Sequence, residues 1–260
     1  MLSPALKEHL RAQAASLPRS RLLLVKQPAR RDPTGNRVFI GSSRPGEERF
    51  FQLEVERHDD LLRLDLAGAL ADGRPVPGAE PVEAPLYVVC THGKRDRCCA
   101  LYGRPLYDAL RHEMDPGRVW QSTHIGGDRF AGNVVVLPLG LYYGRVAAVD
   151  VGRLVATTAA GDVDLDRYRG RSAYSFPVQA AEHALRESQG LLGIGELTLL
   201  GAERLPDAAR RVRFRTPDSA VHELDVVETI ADEATYLTCE SAEPRRARRW
   251  LVSAHRVVSR

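Results

Sequence analysis

Residues 85–99 read Pro85-Leu86-Tyr87-Val88-Val89-Cys90-Thr91-His92-Gly93-Lys94-Arg95-Asp96-Arg97-Cys98-Cys99. A short apolar run ends on a cysteine, a strongly polar loop follows, and a second cysteine stands where a helical pattern begins. Leu86–Val89 has the length and apolarity of a buried strand. Leu101, Leu106, Ala109 and Leu110 then share one face of a helix expected over about 99–113, which Asp115-Pro116-Gly117 stops. A strand running through a loop into a helix is the start of an α/β unit.

Outward from this stretch, Val119–Thr123 is a second strand. Val134–Leu137 and Leu141–Tyr143 flank Pro138-Leu139-Gly140 as a hairpin. Residues 146–160 and 177–189 carry helical patterns. This order of strand, helix, strand, loop, hairpin and helix suits a thioredoxin-like domain. Before it, residues 3–15 are expected to be a helix, with Ser3 as cap and Pro4 in the first turn. Strands are expected at Leu22–Val25, Val38–Ile40 and Phe50–Val55, with turns at Asp32–Asn36 and Arg44–Gly46. The Gly/Pro/Ala-rich stretch 68–85 is the linker candidate. After Gly195 the chain is strand-rich again, at Leu197–Leu200, Val212–Arg215, His222–Val227 and Tyr236–Cys239. The expected organisation is an α+β segment over 1–80, a central domain over 81–192 and a β-rich segment over 193–260.

Composition narrows the function classes. The 260 residues are 43% hydrophobic and 27% charged, ordinary values for a globular protein. No stretch approaches the ~20 apolar residues of a membrane helix, and the first ten residues lack a secretory pattern. A cytoplasmic location without membrane association is expected. Net charge is +3, too small to argue for nucleic acid. The basic runs Ala29-Arg30-Arg31 and Pro244–Trp250 adjoin acidic residues and are read as solvated faces. Three of the four cysteines (Cys90, Cys98, Cys99 and Cys239) fall within ten residues. That clustering suits metal binding or redox chemistry in a reducing compartment better than a disulfide scaffold.

Four residues form the candidate site: Cys90, Cys99, His124 and Asp128. Cys90 and Cys99 face each other across the polar loop, Cys99 at a helix start that favours a thiolate. His124 and Asp128 are separated by Ile125-Gly126-Gly127, a turn through which backbone can approach a cofactor closely. Two cysteines, one histidine and one carboxylate suit either an iron–sulfur cluster or tetrahedral zinc. Cys98 reads as a small buried neighbour of the site. A Cys-x-x-Cys dithiol, a glycine-rich phosphate loop and a Gly-x-Ser-x-Gly elbow are all missing from the sequence. No residue set points to catalysis.

Three segments together carry a resemblance: Cys90–Cys99, the stretch Val119–Asn133 containing Thr123-His124-Ile125-Gly126-Gly127-Asp128-Arg129, and Leu137–Gly144. They resemble the sucrase/ferredoxin-like family, related to thioredoxin-like [2Fe-2S] ferredoxins, over roughly residues 85–145. The resemblance implies a thioredoxin-like ferredoxin domain with β-rich flanks. It implies a [2Fe-2S] cluster, with zinc as the alternative, and one-electron exchange with a redox partner protein. It places Cys90, Cys99 and His124 on ligand positions, and Asp128 where the family carries a second histidine. His92 and Cys98 are the other residues that could supply the fourth bond. The "sucrase" of the family name has no counterpart here, because no paired-carboxylate site for sugar cleavage is visible.

Overall fold

The computed structural model describes residues 2–28 and 35–259. The Ala29-Arg30-Arg31 run and most of the turn expected at 32–36 lie outside them. The elements in chain order are α1 (Pro4–Ser16), β1 (Val25–Lys26), β2 (Asn36–Ser42), β3 (Arg49–Val55), α2 (Leu66–Asp72) and β4 (Glu80–Pro81). There follow β5 (Leu86–Cys90), α3 (Arg97–Glu113), β6 (Val119–Ser122), β7 (Val134–Leu137), β8 (Leu141–Tyr143), α4 (Val151–Ala159) and β9 (Tyr168–Arg171). The chain closes with α5 (Phe176–Gln189), β10 (Thr198–Arg204), β11 (Arg210–Arg215), β12 (Val221–Thr235) and β13 (Arg245–Ser259). The fold is mixed α/β, with β-rich segments on both sides of a central sheet.

The central sheet has the order β1-β6-β5-β7-β8-β9. β5 and β6 run parallel, joined by α3, and β5–β7, β7–β8 and β8–β9 are antiparallel. Every residue of β5 is buried, as expected of a strand covered on both faces. Its side chains alternate. Tyr87 and Val89 pack with Leu106, Tyr107 and Leu110 of α3 and with Val151 and Leu154 of α4. Leu86, Val88 and Cys90 belong to a second cluster, with Trp120, Phe39 and Phe50. The three-stranded sheet β2-β3-β4 thus covers the face opposite α3. Phe39 meets Trp120 edge-on at 5.0 Å, a favoured aromatic geometry. Leu6 and Leu10 of α1 close the far side of this small sheet against Ile40, Leu53 and Val55.

The third sheet, β10-β11-β12-β13, is a meander. Val178, Ala181 and Leu185 of α5 pack on its Val212, Phe214, Leu224 and Val226. Glu182 and Arg186 of α5 are fully buried and paired at 3.2 Å, and Tyr168 of β9 donates to the same carboxylate at 3.1 Å. This network ties the central sheet to the C-terminal one.

Several expectations are corrected. Of the strand expected over Leu22–Val25 only Val25 is in β1, which continues to Lys26, and Leu22 and Leu24 are exposed. The 68–85 stretch contains most of α2, capped by Asp65 at its start and by left-handed Gly73 at its end. Tyr236–Cys239 is not a strand. Thr238 and Ser241 hydrogen-bond each other into a turn, and Cys239 is disulfide-bonded to Cys98. The arginines of the Pro244–Trp250 run are exposed as expected, but the run also starts β13, where Trp250 packs against the C-terminal core and Arg249 pairs with Asp232 at 2.9 Å.

Gly103 fixes how closely α3 lies on β5. A Cβ there would stand 2.0 Å from the Cys90 carbonyl oxygen. Alanine would gain up to ~1 kcal/mol of helix propensity, but it would have to push the helix off the strand. Gly103→Ala is expected to destabilise the protein by about 1–2 kcal/mol net in urea denaturation. A stabilised variant would show that the helix has room to spare.

Candidate metal centre

Cys90 is the last residue of β5, and its N–H donates to the Asn133 carbonyl at 3.0 Å. The chain then turns through Thr91–Arg95 to Asp96, the cap of α3. The Asp96 side chain accepts from the Cys98 N–H at 2.8 Å, and its carbonyl accepts from the Cys99 N–H at 3.0 Å. Cys99 therefore sits in the first turn, aimed back toward the strand end. Both cysteines are free and each is 1% exposed.

The second pair lies on the loop after β6. Its three central residues differ in role. Ile125 is an apolar anchor, 2% exposed and packed with Cys90 and Cys99. Gly126 and Gly127 have φ of +94° and +79°, a left-handed conformation that favours glycine. The two together reverse the chain, so that His124 and Asp128 point the same way. Their Nδ1 and Oδ1 atoms are 3.2 Å apart, with side chains 23% and 20% exposed.

The two pairs converge. Donor atoms of Cys90, Cys99 and His124 all lie within 4.8 Å of one another. Cys99 Sγ is 4.0 Å from His124 Nδ1 and 3.9 Å from Asp128 Oδ1. Donors held 2.0–2.3 Å from one tetrahedral ion stand about 3.3–3.8 Å apart, so Cys90, Cys99 and His124 are close to binding distance already, whereas Asp128 approaches Cys99 and His124 but stands outside the spacing those three share. His92 is not in the group. Its Nδ1 instead accepts the His124 N–H at 3.2 Å, which makes it a positioning residue. Cys98 is half-buried and bonded to Cys239, so it is neither a spare ligand nor a simple packing neighbour.

The thiols are strongly coupled. The hydrogen bond from Cys99 pulls Cys90 down to about 5, aided by the backbone N–H groups of His92 and Ile125 and opposed by burial. Cys99 is pushed up by the same bond and by burial. The pair thus holds one proton between two sulfurs, with Cys90 as the thiolate. Residues that sequence reasoning missed support this arrangement. Asn133, 1% exposed, donates from Nδ2 to the Gly127 carbonyl and accepts Arg169 Nη1 on Oδ1. The Tyr142 hydroxyl donates to the Ile125 carbonyl at 3.3 Å. The signal for Asp96 was available, since an aspartate ahead of a helix is a cap pattern. Asn133 and Tyr142 carry no such mark.

Guanidinium groups crowd one side. Arg169, Arg129 and Arg145 lie 3.7, 4.7 and 5.3 Å from the Phe130 ring centroid. None of the three has a carboxylate partner among the described residues. Burial and then the neighbouring arginines lower Arg169 to about 10. Such a like-charged group is suited to an anionic neighbour.

Comparison with known proteins places residues 5–170 on a profile described as sucrase/ferredoxin-like. Curated relatives named "Altered inheritance of mitochondria protein 32" include one from Meyerozyma guilliermondii, 39% identical over 144 residues, 52% of this chain and 48% of that one. Another, from Eremothecium gossypii, is 26% identical over 150 residues, 51% of this chain and 48% of that one. The chain spans about half the length of these relatives. Among solved structures, a cysteine-to-serine variant of the thioredoxin-like [2Fe-2S] ferredoxin from Aquifex aeolicus aligns with a TM-score of 0.30 and 20% identity. It covers 34% of this chain and all of that one. No helix among the described residues is long and apolar enough to cross a membrane.

The coupled thiols give a prediction for the metal-free protein. Because the folded-state value of Cys90 is depressed, its thiolate is expected to persist as pH falls and to disappear only near pH 5. Thiolate ultraviolet absorbance should show one such titration, and Cys90→Ser should abolish it. A titration only at the ordinary value near 8.5 would contradict the shared-proton arrangement.

Proposed function

This chain belongs to the sucrase/ferredoxin-like family, and from that premise we propose that it is a one-electron carrier built on a [2Fe-2S] cluster. The proposed ligands are Cys90, Cys99, His124 and Asp128, within a thioredoxin-like segment over residues 81–192. The observation that carries this reading is the convergence of buried Cys90 and Cys99 with His124, to which Asp128 adds a carboxylate 3.2 Å from His124 Nδ1 and 3.9 Å from Cys99 Sγ. The order of a parallel β5–α3–β6 unit followed by the β7–β8 hairpin supports the thioredoxin-like assignment. When bound, the cluster would supply a one-electron redox couple. The chain's own residues do the rest. Cys90 is ready as a thiolate, and the side chains of Phe50, Trp120 and Ile125 keep its side dry. His124 and Asp128, about a fifth exposed, form the edge nearest solvent, where an electron would pass.

A carboxylate in place of a second imidazole adds a negative charge at the iron, which lowers the potential. Arg129, Arg145 and Arg169 act in the opposite sense. Together with exposed Arg95 and Arg97, they would also draw an acidic surface of a redox partner toward the site.

The compactness of the donor set favours a second reading, a single structural zinc ion in an interaction module. Anaerobic purification separates the two. The proposal expects a coloured protein with charge-transfer absorption and equal amounts of iron and labile sulfide. A colourless protein with stoichiometric zinc would sink it.

Substitutions near the centre test the electrostatics. One unit charge at about 7–8 Å in a medium of effective dielectric ~20 is worth about 2 kcal/mol, or roughly 100 mV for one electron. Asp128→His is expected to raise the potential by about that much or more in protein-film voltammetry, and Arg169→Gln to lower it. Unchanged potentials in both variants would remove Asp128 from the iron and the arginines from its field.

A further inference from the structure

The disulfide between Cys98 and Cys239 plays no part in the proposed metal chemistry, yet it sits directly beside it. Cys98 precedes the candidate ligand Cys99 in the first turn of α3. Cys239 lies in the connection between β12 and β13, 141 residues away in sequence and 5.6 Å away between Cα atoms. Buried Asp96, the cap of the same turn, places a carboxylate oxygen within 4.8 Å of both sulfurs.

A second contact reaches the same hairpin from the other side of the centre. Arg129, next to Asp128, donates from Nη1 to the Arg248 carbonyl of β13 at 3.2 Å. The long hairpin is therefore tied beside the candidate centre at two points, through the disulfide on Cys98, next to Cys99, and through the hydrogen bond of Arg129, next to Asp128. Only the first tie is covalent. The base of the hairpin is held by β11 and α5, but a single exposed hydrogen bond contributes only about 1 kcal/mol, so the position of its distal end beside the centre depends on the disulfide.

We propose that Cys98–Cys239 is a thiol-exchange site for dithiol reductants, and that its reduction releases the distal end of the β12–β13 hairpin from the metal centre. Cys239 is exposed and Cys98 is half-buried, so an incoming thiolate attacks the Cys239 sulfur. A mixed disulfide forms there, the Cys98–Cys239 bond breaks, and its electron pair leaves on Cys98. The reductant's second thiol then attacks the mixed disulfide and frees Cys239. The reductant is oxidised by two electrons to its own disulfide, and both protein sulfurs end as thiols. Neither step requires Cys90, Cys99 or the metal to change oxidation state. The inference depends on a metal being held at the four-residue centre, but not on which one.

The test uses the protein as purified without reductant. Dithiothreitol is titrated in, free thiols are alkylated, and mass spectrometry reads which cysteines carry label. In parallel, a chelator in excess reports the rate at which the native protein gives up its metal. Cys98 and Cys239 are expected to gain label together, and metal release should quicken by about tenfold or more on reduction, as a lowered local opening free energy requires. Cys239→Ser, and separately Cys98→Ser, should show the fast rate with no dithiothreitol present. Those variants separate loss of the strap from any direct action of the reductant on the metal. The proposal is overturned if the disulfide resists dithiothreitol until the protein unfolds. It is equally overturned if oxidised, reduced and variant proteins release metal at one rate. A protein that carries zinc rather than iron, yet shows the redox-dependent rate, would refute the electron-carrier reading and leave this one standing.

Discussion

The close approach of α3 to the end of β5 is the constraint on which the rest depends. Gly103 lets the helix backbone reach the Cys90 carbonyl, and the Asp96 cap fixes where the helix begins. With those two points set, Cys99 has little choice but to face Cys90. The His124–Asp128 loop is then brought in from β6, which is bonded to β5 in parallel register from Tyr87–Val119 to Cys90–Ser122. Ile125 pins that loop from beneath, and the paired glycines let it double back. The centre is thus an outcome of backbone geometry more than of side-chain reach, as a site on rigid elements should be.

Charge at the centre is arranged in two opposed layers. Inside are two sulfurs sharing one proton and the Asp128 carboxylate. Outside are three guanidinium groups around Phe130 without carboxylate partners among the described residues. Without an anionic neighbour the outer layer would be self-repelling, and Arg169 is depressed by burial first and by the neighbouring arginines second. Without the outer layer, the inner one would be a partly buried negative site. Each makes the other tolerable.

The central unit was legible because its signals are local. β5 is an uninterrupted apolar run, α3 has a clear apolar face, and the β7–β8 hairpin carries Pro and Gly between two apolar stretches. The four candidate residues stood out for the same reason, as two close pairs of metal-binding types. The rest depends on contacts across long sequence distances. β13 is rich in arginine and looked like a solvated run. It is a strand because β12 offers it a full edge to pair with and acidic partners in Glu228 and Asp232. Asn133 and Arg169 matter only once the loop before β7 folds against β9. The Cys98–Cys239 bond spans 141 residues, and no spacing rule could have paired them. Cysteine clustering suggested that Cys98 belonged with its neighbours, whereas its partner comes from the last hairpin.

The central claim is the ligand set, and pulsed electron paramagnetic resonance of the reduced protein reads it directly. With histidine labelled by nitrogen-15, the account predicts hyperfine coupling to a single imidazole nitrogen, lost in His124→Ala and retained in His92→Ala. Coupling to two imidazoles, or coupling that survives His124→Ala, would contradict the assignment of His124 and Asp128 as the second pair.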